Sequence, residues 1–167
     1  WPPDPRLIRG PASGPKACEG WGYYQAASVR HAERPLVIAS HTPVSPASMT
    51  GNYYFEDRPD LAVFPQAPQV RALLGEGRVP VICLSGHVHW NTVAQENGIA
   101  YLTQQSLSES STTGGHPAGA WGILELGDDV TWRVMGRDPL CVTLTPGADR
   151  WLAPHTRPAR KIASVPS

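Results

Sequence analysis

The chain has 167 residues, the size of a single domain. Its 14 basic and 14 acidic side chains cancel, which removes any electrostatic case for nucleic acid or an anionic membrane surface. No apolar run approaches the ~20 residues needed to span a bilayer, and three cysteines make no disulfide framework.

Residues 1–20 are rich in proline and glycine, and they predict an irregular segment with no basic-then-apolar leader pattern. Residues 21–33 suit a short helix with Tyr24, Ala27 and His31 on one face. The apolar run Pro35-Leu36-Val37-Ile38-Ala39-Ser40 predicts a buried strand, and it ends in His41-Thr42-Pro43. The stretch 42–65 follows, with aromatics Tyr53, Tyr54 and Phe55 and acids Glu56, Asp57 and Asp60. A loop of that length in a compact domain is either functional or disordered. Its aromatic and acidic part, 53–60, is a candidate wall for a substrate pocket, with plain loop packing as the alternative.

Residues 69–74 predict a short helix that Gly75 and Gly77 terminate. Residues 79–85 form a second apolar run, and Gly86-His87-Val88-His89 follows at once. Beyond this point the hydrophobic period changes to two. Residues 90–95 and 99–104 flank the turn Glu96-Asn97-Gly98, and 121–126 and 130–135 flank Gly127-Asp128-Asp129, which predicts two hairpins. Residues 106–119 are polar and Gly-rich, as in a surface loop, and 140–144 suit one more strand. Residues 146–167 read as a tail with basic Arg157, Arg160 and Lys161 and no apolar face. The domain lies at 21–145, between the irregular opening and that tail. Cys83 and Cys141 sit in strand-like runs as buried thiols, and Cys18 lies in a loop. The order strand, helix, strand, then hairpins is that of an α/β (α+β) protein passing into antiparallel sheet.

Two predicted strands thus deliver histidine at the same end. Neutral imidazole is the commonest protein ligand for borderline transition metals, so His41, His87 and His89 are the candidate metal ligands. The bland alternatives are loop histidines satisfied by hydrogen bonds and a turn histidine ahead of Pro43. His31, His116 and His155 suit structural roles, although the Gly114-Gly115-His116-Pro117 loop has the length to reach a substrate. Asn91, just past the histidine pair, is either a partner for a ligand imidazole or a plain strand start.

With these residues the chain resembles the calcineurin-like metallophosphoesterases, which include purple acid phosphatases and cyclic-nucleotide phosphodiesterases. In that family a strand ending in a lone His, often with Pro two residues on, precedes a strand ending in Gly-His-x-His. His41 matches the first, and Gly86-His87-Val88-His89 matches the second, over about residues 20–135. The family's earlier motifs, Asp-x-His, Gly-Asp-x-x-Asp and Gly-Asn-His-Asp/Glu, are not found upstream of His41, where Asp4 is the only aspartate. Gly51-Asn52-Tyr53-Tyr54 lies on the wrong side of His41 and lacks the histidine, so it is not matched to the third motif.

The resemblance implies the C-terminal half of a two-sheet metallophosphoesterase sandwich with flanking helices, ending in antiparallel hairpins. It implies a two-metal centre of divalent or trivalent ions (Mn, Fe or Zn) that hydrolyses phosphate mono- or diesters. His41 and His87 would hold one ion and His89 the other, and Gly86 would keep the backbone close. The same three residues are the expected catalytic-site residues. The implied partners are a small phosphate-ester substrate and the missing N-terminal half of the domain, so this chain alone is expected to be weak or inactive. The alternative is a non-catalytic or binding module that keeps the fold with relic histidines. A third option is a one-metal zinc hydrolase using the three histidines alone.

Overall fold

The structure is a computed structural model that describes residues 34–147, Trp151 and the backbone of His155–Pro158. The expectations for 1–20 and 21–33 fall outside those residues. Among the described residues, eight strands form two four-stranded sheets. The first sheet has the order β1-β2-β4-β3, from Leu36–Ser40 (β1), Val81–Ser85 (β2), Thr92–Glu96 (β3) and Ile99–Thr103 (β4). The second has the order β5-β6-β7-β8, from Trp121–Leu126 (β5), Val130–Met135 (β6), Leu140–Leu144 (β7) and His155–Pro158 (β8).

Side-chain alternation assigns each face. Ile82, Ala100 and Leu102 of the first sheet meet Val130, Trp132, Val134, Val142 and Leu144 of the second in one buried cluster. On the opposite face of the first sheet, Val81, Cys83, Ile99 and Tyr101 pack against Ala67 and Leu74 of the helix Ala67–Gly75 (α1). The central strands are therefore covered on both sides, as their near-continuous apolar sequence requires. The architecture is a helix layer over a two-sheet sandwich, in the α+β class.

Close approach between layers depends on Gly122 in β5. A Cβ there would lie 2.3 Å from Cη2 of Trp132 and 2.7 Å from Oε1 of Gln104, so only glycine lets the indole cross that strand. The β3–β4 hairpin turns on Asn97 and Gly98 with φ of 52° and 70°, as a tight two-residue turn demands. The Gly127-Asp128-Asp129 hairpin joins β5 and β6 as its sequence predicts.

Two segments depart from the sequence expectations. The stretch expected as a tail contributes to the sandwich where it is described. Pro146 bridges Trp151, and β8 pairs antiparallel with β7 from Thr143↔His155 to Leu140↔Pro158. Trp151 is buried, and its Nε1 donates to the Val81 carbonyl at 2.9 Å. A single tryptophan between Arg150 and Leu152 has no periodicity to reveal it, and its indole partner is 70 residues away at β2. The stretch 106–119, expected as a solvated loop, buries Glu109 and Ala118 and closes on itself through Ala118 N–H to the Glu109 carbonyl. Among the described residues no helix is long and apolar enough to cross a membrane.

Candidate functional site

The strand register assembles the site. β1 and β2 run parallel with Leu36 opposite Val81 and Ser40 opposite Ser85. One step further, His41 comes level with Gly86, and the Gly86 N–H donates to the His41 carbonyl at 3.1 Å. β4 runs parallel to β2 with Ser85 opposite Thr103, so Gln104, Gln105 and Ser106 emerge at the same end. A cleft of about 450 Å³ opens there, and His41, His87 and His89 all line it. The carboxyl ends of parallel strands are the usual place for a ligand in α/β sheets.

The histidine pair is held in an uncommon backbone state. His87 and His89 both have positive φ, 66° and 59°. The left-handed region costs a side-chain-bearing residue about 1–2 kcal/mol, so the surroundings must enforce it. Val88 between them supplies the anchor. It is fully buried against Met49, Ala62, Phe55 and Trp90, with its N–H on the Gly86 carbonyl and its own carbonyl accepting from Asn52 Nδ2. Val88 turns inward and the two flanking imidazoles turn to the cleft.

The long segment after His41 is an ordered loop rather than a disordered one. Asn52 Oδ1 accepts the Tyr54 and Phe55 N–H groups, and Phe64 N–H returns to the Pro43 carbonyl. That loop brings its aromatics onto the histidines. The Phe55 ring lies 5.1 Å from the His87 ring, and the Tyr54 ring meets the His89 ring edge-on at 4.8 Å. His41 and His87 face each other edge-to-face at 5.2 Å.

Hydrogen bonds assign two tautomers. His87 Nε2 lies 2.9 Å from the Leu61 carbonyl, which can only accept, so Nε2 carries the proton and Nδ1 keeps a lone pair. His89 Nδ1 lies 2.9 Å from Glu109 Oε2, which puts the proton on Nδ1 and leaves the Nε2 lone pair. Burial would raise the Glu109 carboxyl. Hydrogen bonds from the Thr112 N–H, His89, the Ser111 N–H and the Tyr54 hydroxyl outweigh it and hold the group below its ordinary range. A carboxylate or carbonyl behind each imidazole is the arrangement that metal-ligating histidines show. The two rings thus fit a metal as individual donors. Among the described residues, however, no three His, Cys, Asp or Glu side chains converge on one point. The donor set is therefore partial.

Glu109, Asn52 and the Leu61 carbonyl were not anticipated from sequence, because each meets its histidine segment only through the fold. Asn91 does not support an imidazole. Its Nδ2 donates to the Asp138 carbonyl, and its Oδ1 accepts the Gln105 N–H. His116 is exposed and does not line the cleft. Of the acids in 53–60, Glu56 accepts the Gly51 N–H and Asp60 pairs with Arg58. His31 lies outside the described residues, and His155 is described only as part of β8.

No family model and no curated protein matches the chain. Among solved structures, the crystal structure of a dimetal phosphatase from Danio rerio is similar at 15% identity and a TM-score of 0.45, over 83% of this chain and 37% of that one. The chain therefore spans little more than a third of that protein's length. A likeness at that level decides neither family nor activity, and the functional argument rests on the site itself.

Proposed function

We propose that the chain contributes to a metal-dependent phosphoesterase centre, with His41, His87 and His89 as its ligands and catalytic-site residues. One observation carries this reading. Three imidazoles meet in one cleft at the carboxyl ends of adjacent parallel strands, and two of them have a lone pair directed by an acceptor behind the ring. His41 and His87 would share one ion, Mn, Fe or Zn, and His89 would bind the second. Such ions acidify bound water and neutralise charge on phosphoryl oxygens. The residues of this chain position and orient. Glu109 keeps the His89 proton at Nδ1, the Leu61 carbonyl keeps the His87 proton at Nε2, and Val88 fixes the backbone between them. The carboxylate ligands such a centre needs would come from outside residues 34–147, from an N-terminal half of the domain as partner. Residues 34–147 would then be weak or inactive alone.

The experiment is metal content per chain for the protein reconstituted with Zn or Mn, beside a His87→Ala/His89→Ala double variant. Metal bound by the parent and lost by the variant is the expected result. Equal metal in both would sink the reading. A second reading, a binding module that keeps the fold without catalysis, draws on the lack of three converging ligand side chains among the described residues. It predicts no bound metal in either protein. A one-metal hydrolase would instead show one tight zinc and activity without a partner.

A further inference from the structure

A cavity of about 370 Å³ lies between the loop after β1 and the start of α1, and it shares no lining residue with the histidine cleft. Met49 and Val63 of the loop and Ala67 and Pro68 of α1 give it an apolar wall. Two side chains of opposite charge, Glu56 and Arg71, line the same cavity. Each is held by groups outside it. Glu56 Oε1 accepts the Gly51 N–H at 2.9 Å. Arg71 Nη1 donates to the Val44 carbonyl at 3.0 Å, and its Nε pairs with Glu96 Oε2 at 3.0 Å. Those bonds engage one carboxylate oxygen of Glu56 and two of the five N–H groups of a guanidinium. Both side chains are therefore positioned beforehand and keep bonding capacity for a ligand, so less ordering remains to be done on binding.

We infer that this cavity binds a small zwitterion, with its ammonium on Glu56, its carboxylate on Arg71 and an apolar chain between them against Met49 and Val63. The planar fork of arginine matches a carboxylate, and the Glu56 carboxylate accepts from an ammonium. The apolar wall shelters the chain between the charges. A ligand with one charge would satisfy one end of the cavity and set its apolar atoms against the charged group at the other. The inference is independent of the phosphoesterase reading and holds whether or not the histidines take a metal.

The test titrates the full chain with 6-aminohexanoate, hexanoate and hexylamine, and follows the backbone amides by proton–nitrogen NMR. EDTA is present throughout, so that no metal takes part. The expected result is 6-aminohexanoate binding about fivefold tighter than either singly charged compound, since each partly exposed charge contact adds a modest amount. The amides that move should be those of cavity residues such as Ala47, Met49 and Thr50. Glu56→Gln keeps an oxygen for the Gly51 N–H and should weaken 6-aminohexanoate to the level of hexanoate. Arg71→Gln should weaken it to the level of hexylamine. Arg71→Gln also breaks the pair with Glu96, so circular dichroism checks its fold, while the exposed Glu56 carries the test if that variant unfolds. Hexanoate or hexylamine binding as tightly as the zwitterion would overturn the inference. So would shifts confined to residues outside the cavity, an unchanged affinity in folded Glu56→Gln, or no shift with any of the three compounds.

Discussion

Asn52 Nδ2 donates to the carbonyl of Val88 at 2.9 Å, while Asn52 Oδ1 accepts the N–H groups of Tyr54 and Phe55. One buried carboxamide therefore ties the loop that carries the aromatics to the residue between the two histidines. Asn52→Ala leaves a carbonyl and two N–H groups without that partner, and it is expected to cost about 2–3 kcal/mol. Asn52→Asp keeps the acceptor and loses the donor, so it should fall between the parent and Asn52→Ala. Urea midpoints at constant m-value measure both. A loss below about 0.5 kcal/mol for the alanine variant would show that the amide does not hold the loop.

The positive φ of His87 makes its replacements diverge in an unusual direction. Glycine adopts that backbone state freely, whereas alanine bears the same strain as histidine without its hydrogen bond to Leu61. His87→Gly is expected to be more stable than His87→Ala by about 1 kcal/mol, although an alanine is normally the safer choice. If His87 is a metal ligand as proposed, neither variant should bind metal as the parent does. Equal melting temperatures for the two would mean that the local backbone is not strained.

Glu109 acts on the site through His89. Glu109→Gln preserves shape but replaces one acceptor oxygen by a donor, so the His89 tautomer is no longer dictated by a carboxylate. Metal affinity, read by competition with a chromogenic chelator, is expected to fall about 10- to 100-fold. Circular dichroism would separate this from unfolding. Unchanged affinity in a folded variant would remove Glu109 from the site.

Burial pushes the Cys83 thiol up from 9.0 to about 12. At pH 8 the native thiol is therefore protonated as well as enclosed between β2 and α1, and iodoacetamide should leave the Cys83 peptide unmodified until urea is added. The same shift sets a direction for stability. The folded value is raised, so the contribution is complete below pH 9 and is lost as pH rises toward 12. Peptide mapping by mass spectrometry, and urea midpoints at pH 8 and pH 10, check the two halves. Rapid native alkylation at pH 8 would contradict the buried position.

What the sequence by itself determined was everything that repeats over a few residues. Leu36–Ser40 and Val81–Ser85 are uninterrupted apolar runs and both become strands, but Val81–Ser85 is central and buried whereas Leu36–Ser40 forms the sheet edge among the described residues with Val37 exposed, a difference the two runs do not announce. Asn97-Gly98 and Gly127-Asp128-Asp129 announce their hairpins through local turn chemistry. The histidines were legible for the same reason, since each follows a strand directly and inherits its position from it. The tertiary structure alone decided what meets those histidines. Glu109 sits among serines, threonines and glycines, the composition of a solvated loop, and becomes a buried carboxylate only because neighbouring N–H groups and His89 close around it. Asn52 and Trp151 act across 36 and 70 residues of sequence, where no periodicity connects the partners. Strand and turn preferences are set within a residue's own neighbourhood. The partner of a buried polar group is set by how layers pack, and the free energy of satisfying that group appears only once the layers have met.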